Sequence, residues 1–277
     1  MPHRDWWVPD WPAPRGVHAL CTTRQGGHSA APYDSLNLGS HVGDDAAGVV
    51  ANRQVLQTVL QARTPGARAT FLSQVHGTDV VELDRSTPDG TEADACVTTT
   101  PGAVCTIMVA DCLPVLLAHR SGAVVAAAHA GWRGLAGQDG RGVLEAVFKR
   151  FSALALDGQA LAAINNEASS DTLAWLGPCI GPEAFEVGAE VRAAFCDADP
   201  GAHTCFLPCH QTPGKYLCDL AGLARRRLEA LGITQIFGND STASWCTVTN
   251  ASTFFSHRRD SVALGGSGRF AACIWRD

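Results

Sequence analysis

"VADCLPVLLAHRSGAVVAAAHAGWRG", residues 109–134, sets an Asp-Cys pair near one end of an apolar stretch and a lone histidine near the other. Two greasy runs, LPVLLA (113–118) and AVVAAA (123–128), flank HRSG (119–122), a four-residue turn sequence. The segment therefore predicts a β-hairpin. A register symmetric about that turn sets Ala118 opposite Ala123, Leu116 opposite Val125, Pro114 opposite Ala127 and Cys112 opposite His129. Directly opposed residues have Cβ atoms about 4.5–5.5 Å apart. That gap suits one ion held by a thiolate at about 2.3 Å and an imidazole nitrogen at about 2.0 Å. A slip of one residue would put the two side chains on opposite faces. A histidine in an apolar strand is also at home as a hydrogen-bonded core residue, so spacing alone leaves both readings open.

Upstream of the hairpin, ATFLSQVH (69–76), DVVELD (79–84), ADACVTT (93–99) and AVCTIMVA (103–110) read as further strands separated by turn signals. VHALCTT (17–23) is an earlier strand, and TRQGGHSAAPYDSLNLGSHVGDD (23–45) is a long loop without periodicity. Loops of that length in compact domains are usually functional or disordered. Asp44 or Asp45 can cap a helix over about 46–62, with Val49, Arg53, Leu56 and Leu60 at helical spacing.

Downstream, Val143, Leu144, Val147, Phe148 and Phe151 form one apolar face of a helix at 140–152. GQALAAINNEASSD (158–171) reads as a short helix with a polar loop, and DTLAWLG as a strand running into GPCIGP. EVGAEVRAAF (186–195) and LAGLARRRLEALG (220–232) are amphipathic helices, the second stopping at Gly232. ITQIF and the closing GRFAACIW are strands. The order predicts an α/β (mixed α+β) fold: a single domain over 1–277, with a mixed β-sheet core flanked by helices.

With 277 residues, 46% hydrophobic and 17% charged, the chain can bury a sizeable core. A formal net charge of −6 and the absence of any basic run exclude a general nucleic-acid binder. No apolar run approaches the roughly 20 residues that span a bilayer, and the N-terminus lacks a secretory h-region. A cytoplasmic protein without a membrane partner is expected. The eleven cysteines are scattered and odd in number, which favours reduced thiols over a disulfide framework. Most should be core filler.

Two ligands do not make a site. SQVHGTDV supplies a third, His76, at a strand end followed by glycine. Three protein ligands plus an open position is the layout of catalytic zinc. Asp111 falls on the other strand face under regular pairing, and acts as a base or orients a ligand only if the strand bulges there. A rival set, His203, Cys205, Cys209 and His210 in HTCFLPCHQ, also has zinc-compatible spacing, but the loop reads more readily as a disordered connector.

FLSQVHGTDVV, ADACVTTTPG, VADCLPVLL, AHAGWRG, LGPCIGPEAFEVG, FFSHRRD…SGR and the upstream TTRQGG…SLNLGSHVGDD together resemble the YfiH family, also called the laccase-domain or multicopper polyphenol oxidase family. The resemblance runs from about residue 17 to the C-terminus. It implies a single-domain α/β fold with a metal site in a surface cleft, the ion (Zn2+, with Cu2+ possible in the family) held by His76, Cys112 and His129. It implies phosphorolysis of adenosine, inosine and methylthioadenosine, adenosine deamination, laccase-like phenol oxidation, or editing of cell-wall precursors. After GWRG the sequence LAGQDGRG departs from the family's tighter glycine-rich entry, and the 158–171 loop is expanded, which bears on substrate shape.

Residue types weigh these activities. A laccase copper cluster uses His-x-His pairs, and none of the ten histidines forms one. A His₂Cys site can hold blue copper, with Met108 as a conceivable axial ligand, yet one copper stores too few electrons to reduce dioxygen to water. Deamination needs a proton carrier, for which Asp111 and Glu183 are the candidates. Phosphorolysis needs an anion fork, for which Arg133, Arg24, Arg258 and Arg259 compete with structural ion pairing. Asn37 and His41 either line the cleft from the long loop or tie that loop down. Cys179 in GPCIGP reads as structural. The expected partners are a small-molecule nucleoside and phosphate, and the expected assembly is a monomer or homodimer. The main rivals are a copper phenol oxidase, a cell-wall precursor hydrolase, and a binding module whose metal is structural. A fourth protein ligand would favour the last.

Overall fold

A computed structural model describes residues 3–155 and 169–277. The expected hairpin is there, at the centre of a six-stranded mixed sheet. Strand β6 (Leu113–His119) lies between β7 (Val125–Ala130) and β8 (Thr172–Leu176), both antiparallel to it. The sheet is completed by β4 (Ala95–Thr98), which is antiparallel to β7, and by two parallel edge strands. These are β3 (Val80–Glu82) beside β4 and β12 (Gln235–Gly238) beside β8. A second, four-stranded sheet has the order β1 (Val17–Cys21), β13 (Phe270–Arg276), β5 (Ala103–Val109), β2 (Arg68–Phe71), with only the last pair parallel. A small antiparallel sheet comprises β10 (Phe206–Pro208), β11 (Lys215–Cys218) and β9 (Glu186–Gly188).

The two large sheets pack face to face, and each carries helices on its outer side. Strand alternation sorts the side chains among three apolar layers. From β7, Val125 and Ala127 face the four-stranded sheet, where they join Cys105, Ile107, Phe270 and Ala272. Ala126, Ala128 and Ala130 face outward, into a layer with Val147 and Phe151 of α3 (Val143–Ala155) and Leu228 of the helix Leu220–Ala230. Buried on both faces, β7 shows an apolar run interrupted by His129 alone rather than alternation. On the far side, Leu56 and Leu60 of α1 (Ala46–Arg63) pack on Val104, Ala271 and Trp275. Asp45 caps α1 by accepting from the Gly48 N–H.

The hairpin register differs from the symmetric one. Ala118 pairs with Val125 and Pro114 with His129, a displacement of two residues on β7. Gly122 at φ +73° turns the loop, and the buried Val124 adds residues to it, with its carbonyl accepting from the His119 N–H. Because the side-chain period is two, a two-residue shift preserves the faces. Cys112 and His129 therefore remain on the same side, next to one another diagonally rather than directly opposed.

Other elements also shift. The helix expected at 140–152 begins at Val143 and runs to Ala155. Of EVGAEVRAAF, the first three residues are β9, and the helix α4 spans Ala189–Cys196. HTCFLPCHQ is ordered, as a 3-10 turn over Pro200–Cys205 followed by β10. SHRRDSVAL opens a helix the periodicity did not suggest: α6 (His257–Leu264), capped by Ser256 accepting from Arg259 N–H. Two further helices are α2 (Trp132–Ala136), directly after the hairpin, and α5 (Leu220–Ala230). The helix and loop expected over 158–171 fall largely outside the described residues. No described helix is long and apolar enough to cross a membrane.

Candidate metal centre

Where β7 ends, its inward face opens from the inter-sheet layer into a cavity of about 490 Å³. His129, only 3% exposed, stands at that end and lines the cavity. Its Nδ1 lies 2.8 Å from Oδ1 of Asp94, a residue with no solvent exposure. The same carboxylate accepts hydrogen bonds from three consecutive backbone N–H groups, those of Val75 (3.1 Å), His76 (2.9 Å) and Gly77 (2.7 Å). Asp94 thus grips the turn that carries His76 while fixing the ring of His129. His76 sits in this turn at φ +63°, past the end of β2 rather than on a strand as expected. A left-handed conformation is uncommon for a non-glycine residue, and the three N–H bonds are what hold it.

Cys112 is positioned by a second strained residue. Asp111, between β5 and β6, has φ +91°, so the chain turns sharply there and redirects the cysteine. Thr247 Oγ1 donates to Asp111 Oδ1 at 2.6 Å, and the backbone N–H of Arg258 donates to Oδ2, also at 2.6 Å. The Asp111 carbonyl accepts from Ile180 N–H. The carboxylate therefore joins β6 to α6 and to the 247 turn, and it lines the cavity with both oxygens already engaged.

The result is a cluster in which one ligand atom each from His76, Cys112 and His129 lies within 4.8 Å of the others. Cys112 Sγ is 3.7 Å from His76 Nε2. Ligands at about 2.3 Å and 2.05 Å from a tetrahedral ion would be about 3.6 Å apart, so the observed spacing fits a metal of zinc's size. The Asp94 contact on His129 Nδ1 leaves Nε2 for an ion, the carboxylate–histidine arrangement that orients metal-bound imidazoles. Among the described residues this is the one group of three or more His, Cys, Asp or Glu side chains with such spacing, and it contains no fourth ligand.

The electrostatics favour a cation. Burial alone would push the Cys112 thiol up, but the facing His129 charge and hydrogen bonds from both imidazoles outweigh it and bring its pKa down to about 6. Burial alone would lower His129, yet the Cys112 charge and Asp94 raise it to about 9. Asp94 is itself lowered, with the hydrogen bonds from His129 and the backbone overcoming its burial. Each group's shift is toward its charged form, Cys112 toward the thiolate and His129 toward the imidazolium, so a divalent ion bound there would compete with the His129 proton.

Two glycines of AHAGWRG make room for the cluster. A Cβ on Gly131 would lie 2.8 Å from His76 Cδ2 and 2.9 Å from Cys112 Sγ, and one on Gly134 would lie 2.7 Å from the Gly77 carbonyl. Gly131→Ala is therefore expected to lose about tenfold or more in metal affinity through misplaced ligands while keeping a wild-type circular-dichroism spectrum. Unchanged metal titration of that variant would show the clearance to be unimportant.

The structure brings together only some of the other candidates. Arg133, Arg258 and His41 line the cavity beside Asp111. Arg133 is exposed and lies over the Trp132 ring, and Arg258 lies over Phe185 and donates to the Glu186 carbonyl at 3.3 Å. His41 is pushed down by burial and by Arg269 and Arg53. Arg24 does not reach the cavity. It is buried, paired with Asp34 at 3.1 Å and donating to the Asp34 and Ala251 carbonyls. Asn37 is fully buried, with its amide bonded to Gly39 and Asp44 and its Oδ1 accepting from the Arg269 N–H, which ties the long loop down.

Arg259 is consumed by Asp260 and three backbone carbonyls, and Glu183 is exposed outside the lining. Cys179 is buried, with its thiol pushed well up by burial, which agrees with a structural role. The rival set does not assemble: His203 bonds the Pro200 carbonyl, Cys205 is buried and Cys209 donates to Glu186. Met108 lies with the layer under α1, at the edge of the cavity. Three participants escaped the sequence reading: Asp94, Arg269 and His257, the last two lining the cavity. Asp94 was legible in principle, as the acid of ADAC beside a predicted strand start.

Residues 18–277 match the family described as multi-copper polyphenol oxidoreductase laccase. The chain belongs to that family. It is 46% identical over 268 residues to the purine nucleoside phosphorylase YfiH of Escherichia coli, with 97% of each chain covered. It is 47% identical over 270 residues, 98% of each, to a purine nucleoside phosphorylase of Pseudomonas aeruginosa. Among solved structures of the family fold, a Neisseria meningitidis protein superposes with a TM-score of 0.82 at 40% identity, covering 99% of this chain and all of that one. YlmD of Geobacillus stearothermophilus gives 0.78 at 30% identity, with 100% and 97% covered. The family's description speaks of several coppers, whereas the described residues of this member gather a single three-ligand cluster.

Proposed function

We propose that the protein is a metal-dependent purine nucleoside phosphorylase, with zinc at His76, Cys112 and His129, and with adenosine deamination as an accompanying activity. The observation that carries the reading is the three-ligand cluster opening onto a cavity that holds several cationic side chains and one carboxylate. The names of the Escherichia coli and Pseudomonas relatives support it. Bound by these three side chains, zinc would supply Lewis acidity at the cavity.

The chain's own residues do the rest. Asp94 holds the ligand set in place. Trp132, Phe185 and Ile180 give the cavity an apolar wall against which a purine ring can stack, and arginines supply forks for phosphate. Asp111, with its two accepted hydrogen bonds, is better suited to ordering α6 against the site than to carrying a proton unaided. The three-ligand set supports a catalytic rather than a structural ion. Eleven unpaired cysteines support a reducing, cytoplasmic setting. The partners in this reading are small molecules, handled by a monomer or homodimer.

The test is metal analysis of the purified protein followed by incubation with adenosine, with and without phosphate. Free adenine and ribose 1-phosphate formed only with phosphate are expected, together with a smaller amount of inosine. Zinc-loaded protein that leaves adenosine intact would overturn the proposal, and phenol oxidation that requires added copper would replace it.

A further inference from the structure

The cavity's arginines are not equivalent. Arg258 has its guanidinium over Phe185 and donates to the Ala184 and Glu186 carbonyls, and exposed Arg133 lies over Trp132. Arg269 differs from both. Its main chain is clamped, the N–H donating to Asn37 Oδ1 at 2.8 Å and the carbonyl accepting from Leu38 N–H at 3.0 Å. Its side-chain stem runs against Gly39, where a Cβ would come within 2.8 Å of Arg269 Cγ. One guanidinium nitrogen, Nη1, is anchored on the Ser267 and Gly268 carbonyls at 2.9 and 3.0 Å. Nε and Nη2, the edge that grips an oxyanion bidentately, have no hydrogen-bond partner among the described residues, and no carboxylate pairs with this arginine.

That unpaired edge belongs to a side chain lining the metal cavity, and its charge acts on Cys112 and Asp111. Asp111 is the one carboxylate in the lining, and its oxygens are already engaged. A half-buried, rigidly mounted arginine with no carboxylate in ion-pair contact presents its free guanidinium edge to an anion from outside the chain.

We propose that Arg269 is the primary binding group for free inorganic phosphate, holding the oxyanion by its Nε–Nη2 edge beside the His76–Cys112–His129 cluster, with Asn37 and Gly39 as the residues that position it. The assignment rests on the phosphorolytic reading for what the phosphate does, though not for whether it binds. Arg133 and Arg258 are then outer contacts, available to the nucleoside.

The test is calorimetric titration of zinc-loaded protein with inorganic phosphate and, in parallel, with adenosine 5′-monophosphate. Arg269→Gln is expected to weaken phosphate binding at least about tenfold, the loss of one charge-assisted fork, with zinc content unchanged. Arg269→Lys keeps the charge without the fork and should weaken it by a smaller factor. Gly39→Ala keeps the guanidinium but displaces it, so it should weaken phosphate binding without altering the KM for adenosine, and it covers the case in which Arg269→Gln fails to fold. Arg133→Gln and Arg258→Gln should change phosphate affinity less than either.

Wild-type phosphate affinity in Arg269→Gln would overturn the assignment, as would a wild-type protein that binds the nucleotide and not free phosphate. Phosphate binding that depends on Arg269, in a protein that leaves adenosine intact, would sink phosphorolysis and leave the anion site standing. Phosphate-dependent cleavage indifferent to Arg269 would do the reverse.

Discussion

Replacing His129 with alanine is expected to strip the centre of its metal and reduce turnover to background. In the proposed centre the imidazole offers one of three ligand atoms, so its loss leaves only His76 and Cys112. Changes in groups that merely orient metal ligands already weaken binding about 10–100-fold, and removal of a ligand should exceed that range. The variant also abandons the carboxylate that His129 Nδ1 contacts at 2.8 Å, leaving Asp94 buried with its backbone donors alone. Metal content by elemental analysis and adenosine cleavage read the two consequences separately. A His129→Ala protein with full metal and full activity would remove the cluster from the mechanism altogether.

The second large effect falls on Asp94, which never touches the metal. Its carboxylate, itself fully buried, accepts from three successive part-buried N–H groups and from His129, so Asp94→Ala leaves four donors without their acceptor at once. Breaking a buried charged network by removing one partner costs about 3–5 kcal/mol. We expect a loss of that size in urea unfolding of the metal-free protein, and metal affinity reduced about 10–100-fold through relaxation of the His76 turn. Asp94→Asn retains one acceptor oxygen but directs an NH₂ group at N–H donors, and should fall between wild type and alanine. Wild-type stability together with wild-type metal affinity in Asp94→Ala would show that the two histidines are oriented by something else.

The two predictions differ in how far the sequence alone could reach them. His129 and Cys112 could be paired from the hairpin because strand alternation is a local property. The two-residue error in register left them on one face, since a shift by the full side-chain period changes neighbours and not sides. His76 followed as a third ligand, although the expectation of a strand end missed the left-handed turn that presents it. The mixed α/β class was legible for the same reason: β5 and β7 are buried at every position and apolar except at Thr106 and His129, whereas the division into two facing sheets was not legible.

The helix α6 was not legible. SHRRDSVAL leaves Val262 91% exposed, so no apolar stripe marks it, and its position is set by the Ser256 cap and the Asp111 contact 147 residues away in the chain. The same limit divided the arginines. Arg24, Arg133, Arg258 and Arg259 were candidates because they sit in motifs, yet whether a guanidinium is consumed depends on which carbonyls and carboxylates the fold brings to it. Arg24 and Arg259 meet theirs inside the protein, and Arg269 keeps an edge unmatched.

What the sequence by itself determined is the mixed α/β fold class and the identity of the three clustered side chains, because periodicity, turn chemistry and ligand type are carried by neighbouring residues. What only the tertiary structure decided is the electrostatic partnership around them. Asp94 spanning two histidines, Asp111 spent on α6, and Arg269 left without an acid each depend on contacts between segments far apart in the chain. No local pattern encodes the distance or the burial that sets such contacts.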